Sequence, residues 1–150
     1  MTESHVPNLA ELGRRMISGE APGAPVARLI GFVPTRIQDG EAVFEMETDE
    51  RHANPMGTLH GGILCDIVDA AMGMAFASTL AEGETFTTLE LKVNFLKPVW
   101  KTKLTATARV VKRGRTVGLV EGEVRDAEGD LVAWSSSTCM VLRGKVAEGR

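Results

Sequence analysis

Cysteine and histidine are scarce in this sequence. The cysteines are Cys65 and Cys139, far apart and without metal-type spacing, and His5, His52 and His60 stand in no Cys or His cluster. A zinc signature is therefore absent, and neither a metal nor a cofactor is expected. The two cysteines fit a reduced, cytoplasmic protein in which both are small core residues. Basic charge is not in excess: 17 Lys and Arg against 20 Asp and Glu leave a net charge of −3. Binding along a polyphosphate backbone wants the opposite balance, so nucleic acid is not the expected partner. No run reaches the ~18 apolar residues of a membrane span. The start, MTESHVPNLAELGRRM, has no long apolar core of the signal-peptide kind. Three reactive motifs are missing as well. There is no G-x-S-x-G elbow, no G-x-x-x-x-G-K-[ST] phosphate loop, and no G-x-G-x-x-G entering a helix after a strand. No internal repeat or linker divides the chain.

What is present reads as one domain. A chain of 150 residues can bury roughly 70% of the surface it exposes when unfolded. Its 43% apolar and 25% charged residues are ordinary for a globular protein. Residues 7–18 (PNLAELGRRMIS) read as a short amphipathic helix, with Leu9, Leu12 and Met16 at helical spacing and Pro7 suited to an early position. GEAPGAPVARLIGF then breaks it, so residues 1–27 form an N-terminal helical extension and residues 28–150 the domain proper. Strands are expected over 31–37 and 41–48, around the hairpin signal Asp39-Gly40. Residues 50–59 read as a loop, and a helix runs from near His60 to about Leu80. Four longer strands follow, about 85–96, 101–112, 116–125 and 130–142, punctuated by Lys97-Pro98, Gly114 and Ala127–Gly129. Runs of strands around a single helix imply an α+β layout, a curved antiparallel sheet wrapped around one long central helix. Ile63, Leu64, Ile67, Val68, Ala71, Met72, Met74, Ala75 and Phe76 cover nearly the whole circumference of that helix. A helix apolar all round is buried, here with help from a partner subunit.

The chemistry concentrates in NPMGTLHGGILCDIVDA, residues 54–70. Two glycines directly before a helix uncover its first N–H groups, which have no intrahelical partner and carry the positive end of the dipole. Such an end receives an anion or a polarised carbonyl oxygen, and the Gly61 N–H is the candidate donor. Asp69 lies amid apolar residues, where desolvation opposes its charge, and no Lys or Arg follows it in the helix. That pattern favours a functional carboxylate. Asp66 fits a first-turn or interface charge and is left out of the site. Taken singly, His-Gly-Gly is also what a flexible turn looks like, Asn54 what a loop turn looks like, and Cys65 a core residue. Asp69 is eight residues beyond Gly61, about 12 Å along the axis at 1.5 Å per residue. One helix cannot offer both groups to one small reacting centre. Two antiparallel copies across a two-fold axis can, so a dimer with a shared site is expected.

Asn54-Pro55-Met56-Gly57-Thr58-Leu59-His60-Gly61-Gly62, with Asp69 nine residues after His60, resembles the hotdog-fold acyl-CoA thioesterases of the phenylacetate-pathway type. These are related to the hydroxybenzoyl-CoA thioesterases and the mammalian thioesterase superfamily members. Thr88–Val99 resembles the strand after the central helix of that family, and Lys112-Arg113-Gly114-Arg115-Thr116 its fourth-to-fifth strand turn. The likeness covers roughly residues 28–142. It implies a hotdog domain over residues 28–150, acyl-CoA as substrate and a dimer of dimers. It implies Asp69 as base or nucleophile, the Gly61 N–H on the thioester carbonyl, and His60 holding the turn or assisting. It further implies Asn54 placing water or acyl group, Thr88 orienting the water, and Lys112, Arg113 and Arg115 on the phosphates of CoA. A non-catalytic acyl-CoA binder and a hydroxyacyl-thioester dehydratase are the alternatives. Asp69 argues against the first, and His60 on the turn against the second.

Overall fold

A computed structural model describes residues 8–148; Pro7 and His5 lie outside them. The elements in chain order are α1 (Leu9–Ile17), α2 (Pro25–Ile30), β1 (Phe32–Gln38), β2 (Glu41–Glu47), α3 (Gly61–Ala77), β3 (Thr85–Phe95), β4 (Lys103–Arg113), β5 (Val117–Arg125) and β6 (Leu131–Leu142). Single 3-10 turns stand at Glu50–His52 and Gly144–Val146. The strands form one antiparallel sheet in the order β1-β2-β4-β5-β6-β3, curled around α3. This is the α+β arrangement expected, and it is the hotdog fold.

Local chemistry explains the elements. Asp39 (φ 50°) and Gly40 (φ 80°) both take left-handed backbone, as a two-residue hairpin turn between β1 and β2 requires. The segment after α1 was expected to be broken chain, but it holds the short helix α2. Pro25 opens it, and Gly31 (φ 103°) closes it with an N–H donated to Ala27 O at 2.7 Å. Proline at the first position and glycine past the last is the usual helix asymmetry.

The helix α3 ends at Ala77, short of Leu80, where the Ser78 hydroxyl turns back onto Ala75 O. Leu64, Ile67, Val68, Ala71, Met72, Ala75, Phe76 and Ala77 are buried. The helix is not buried all round, however: Asp66 and Asp69 lie on an exposed strip of it in the single chain.

Close packing of α3 depends on glycine in β5. An ideal Cβ at Gly118 would sit 2.3 Å from Phe76 Cε2 and 3.0 Å from Lys112 O, and one at Gly122 2.8 Å from Val68 Cγ2. Gly118→Ala is expected to cost about 1–3 kcal/mol, the usual cost of overpacking. The measurement is a lowered denaturant midpoint at unchanged slope.

Candidate active site

The approach to α3 is a set of interlocking turns. Asn54 Oδ1 accepts from Met56 N at 2.9 Å, and its amide donates to Thr58 Oγ1 at 2.7 Å. Both halves of the Asn54 side chain are thus spent on shaping the turn. His52, which the sequence did not single out, is buried behind it. Its Nδ1 accepts from Asp49 N at 3.0 Å, so its Nε2 donates, to Ile30 O at 2.7 Å. One imidazole therefore ties the end of α2 to the loop that leads into α3. His60 N in turn donates to His52 O at 2.8 Å.

His60 is the N-cap of α3, and its Nδ1 accepts from Gly62 N at 2.9 Å. A Cβ at Gly62 would sit 2.8 Å from that same nitrogen. Glycine is what lets the imidazole turn back as a cap. Ile63 N is taken by His60 O at 3.0 Å. Among the described residues the Gly61 N–H finds no acceptor. It lies beside the Phe95 ring, whose Cζ would be 3.0 Å from a Cβ at Gly61. The positive end of α3 therefore keeps one uncommitted donor.

Asp69 belongs to a different cavity. Asp66, Asp69 and Thr88 line one cleft of about 380 Å³ whose other walls are almost wholly apolar. Asp66 and Asp69 are three residues apart and share a helix face, a spacing that could have drawn Asp66 into the site from sequence. Among the described residues Asp69 makes no ion pair. Its carboxyl is pushed above the ordinary range, first by desolvation against the apolar walls and then by the charge of Asp66. Desolvation raises Asp66 as well.

Thr88 reaches this cleft because β3 carries a bulge. Its register against β6 slips between Thr88 and Glu90, leaving Leu89 exposed. Phe86 and Thr88 face inward before the slip, and Leu91 and Val93 after it. Strict alternation would have grouped Leu89, Leu91 and Val93 on one face and turned Thr88 outward. Bulges of this kind re-aim side chains beside functional sites.

The basic turn divides. Lys112 and Arg115 are exposed and, among the described residues, in no ion pair. Arg113 is turned inward. It donates to Thr79 Oγ1 at 3.2 Å, to Glu84 Oε2 at 3.1 Å and to Gly114 O, and its guanidinium lies 5.3 Å from the centre of the Phe76 ring. All three Arg113 nitrogens thus have a partner within the fold, which makes the residue a structural tie; Lys112 and Arg115 are the members of the turn left exposed.

Within one chain, then, Asp69 and Thr88 come together, while Gly61, beside Leu64 and Phe95, lines another cavity that neither of them reaches. His60 and Asn54 build the turn that presents Gly61.

Residues 56–133 match the thioesterase superfamily. A protein of Saccharolobus solfataricus named as a candidate esterase is 38% identical over 110 residues, 73% of this chain and 78% of that one. Human acyl-coenzyme A thioesterase 13 is 30% identical over 101 residues, 66% of this chain and 71% of that one. A solved phenylacetic acid degradation-related protein of Ralstonia eutropha JMP134 is 34% identical with a TM-score of 0.77, covering 86% of this chain and 98% of its own. The chain belongs to the thioesterase superfamily. It is a thioester hydrolase built on the hotdog fold. Among the described residues no helix is long and apolar enough to cross a membrane.

Proposed function

We propose that this protein hydrolyses acyl-CoA thioesters to the free acid and CoA, at a site shared between two subunits. Asp69 takes a proton from water as the water oxygen adds to the thioester carbon. The Gly61 N–H of a second copy holds the carbonyl oxygen as it gains charge. The C–S bond then breaks, and the CoA sulfur leaves with the proton that Asp69 took. Thr88, in the cleft with Asp69, orients the water. His60 and Asn54 act through the turn, fixing the direction of the Gly61 N–H.

The observation that carries this reading is the separation of the two halves. A carboxylate with a raised pKa and, among the described residues, no ion pair lies in an apolar cleft, and an N–H with no acceptor among those residues lies at the N-terminus of the same helix, eight residues away. The outer edge of β3 supports the assembly. This strand is 11 residues long and, among the described residues, pairs only with β6, so its free edge offers a ladder to the same strand of a second copy. Lys112 and Arg115 remain as exposed cations for the CoA phosphates. The likeness to human acyl-coenzyme A thioesterase 13 supports CoA as the carrier. Against a dehydratase stands the capping bond of His60, whose Nδ1 is occupied by the Gly62 N–H.

The test is release of free CoA thiol from aliphatic and aromatic acyl-CoAs. Stoichiometric acid and thiol are expected. An enoyl thioester formed from a hydroxyacyl-CoA without thiol release would instead mark a dehydratase. Tight binding without turnover would mark a carrier.

A further inference from the structure

We infer that helix α1 measures the acyl group, with Leu12 and Met16 forming the wall that limits its length. The inference rests on the thioesterase reading above and adds the part of the substrate that this chain selects. An amphipathic surface helix ordinarily turns its apolar stripe into the core. Here α1 buries Ala10 and Gly13 instead, and its larger side chains Leu12 and Met16 line the cleft that holds Asp69. Leu12 stays 36% exposed there, so apolar surface of the side chain is open to the cleft.

Gly13 sets how close the helix comes. An ideal Cβ at Gly13 would sit 2.4 Å from Ile37 Cδ1 and 2.6 Å from Met74 Cε. The helix is drawn against β1 and α3 at that point, and Leu12 and Met16 on either side of it are carried over the cleft. The occupant follows from the lining. Apolar walls lead away from Asp69, so the group bonded to the reacting carbonyl extends along them toward α1. Among the described residues no Lys, Arg or His lines the cleft, and its charged groups are Asp66 and Asp69. It therefore takes an uncharged acyl group and repels one that ends in a carboxylate. A volume of about 380 Å³ stands at the low end of the roughly 300–1,000 Å³ of small-molecule sites. That suits a short-to-medium chain or a single ring and stops a long chain at α1.

The test compares kcat/KM for hexanoyl-, dodecanoyl- and glutaryl-CoA in the full-length protein and in two variants, with thermal melts to confirm folding. Met16→Ala opens the wall and is expected to raise the dodecanoyl-to-hexanoyl ratio about fivefold or more, since each accommodated methylene adds roughly 0.8 kcal/mol of apolar burial. Leu12→Trp narrows the cleft and is expected to lower that ratio by a similar factor. If Leu12→Trp does not fold, Met16→Ala decides alone. A ratio that stays within twofold of wild type overturns the role of α1 while leaving the thioesterase reading intact. Wild-type use of glutaryl-CoA as readily as hexanoyl-CoA overturns the uncharged-acyl requirement. Failure of the wild type to release thiol from any acyl-CoA overturns both readings.

Discussion

Asp69→Asn is expected to lower kcat at least ~100-fold on every acyl-CoA the wild type uses, the loss usual for a positioned general base. The amide keeps the shape of the side chain and cannot accept the proton of the attacking water. Turnover within tenfold of wild type would remove Asp69 from the mechanism. The pH profile follows from the same environment. A base must be ionised to act, and desolvation followed by the Asp66 charge raises the Asp69 pKa. The acid limb of kcat/KM is therefore expected above the ~3.9 of an ordinary aspartate. Asp66→Asn removes the like charge and is expected to move that limb to lower pH. Stability has the opposite dependence. Between the unfolded and the raised folded pKa the native state holds more protons, so stability falls as pH rises through that window. Asp69→Asn escapes this cost. It is expected to melt higher than wild type at neutral pH, with the gap closing below about pH 4. A site residue that destabilises its own fold for the sake of function is the usual trade.

Much of this arrangement was legible in the sequence, for physical reasons. The strands announce themselves by alternation and by Asp39-Gly40, whose backbone only such residues adopt readily. The central helix announces itself by a dense apolar run. Asp69 was legible because a carboxylate without a partner base conflicts with that run, and the glycines at its start because they serve no packing purpose in isolation. What escaped depends on tertiary geometry. The helix α2 is six residues long, too short for periodicity, although Pro25 and Gly31 carried its end signals. The stripe Leu9, Leu12, Met16 gave helix correctly but not its direction, since the contact that orients α1 is made by Gly13, a residue without a side chain. The inward aim of Thr88 rests on a bulge at Leu89, visible in sequence only as the odd interval between Phe86 and the Leu91–Val93 pair. The division of Lys112 and Arg115 from Arg113 depends on Glu84, 29 residues away from Arg113 along the chain.

That division gives the second large effect. Arg113→Glu is expected to destabilise the fold by about 2–4 kcal/mol, toward the lower side of the range for breaking a buried pair because its members keep some exposure. The Arg113 side chain is 23% exposed and that of Glu84 13%. The substitution removes the donors to Thr79 and Glu84 and lifts the cation from the Phe76 ring. It also sets a second carboxylate beside Glu84. The Glu84 carboxyl is held below its ordinary value first by the Ala81 N–H at 2.9 Å, then by Arg143 and Arg113. That contribution is present above the unfolded pKa of Glu84 and lost as pH falls through the lowered folded one, so losing Arg113 weakens it at neutral pH. A melting temperature lower by on the order of 10 °C is the expected reading. Arg115→Glu is the contrast, because its exposed side chain makes no ion pair or hydrogen bond among the described residues. It is expected to change stability by less than about 0.5 kcal/mol. It should raise KM for CoA esters about tenfold, the loss of one charge-assisted phosphate contact, and spare short thioesters that lack the nucleotide. Equal loss on both carriers would remove Arg115 from phosphate binding. An unchanged melting temperature for Arg113→Glu would mean that its guanidinium is as free as that of Arg115, and the two arginines would then have to be treated as one binding surface.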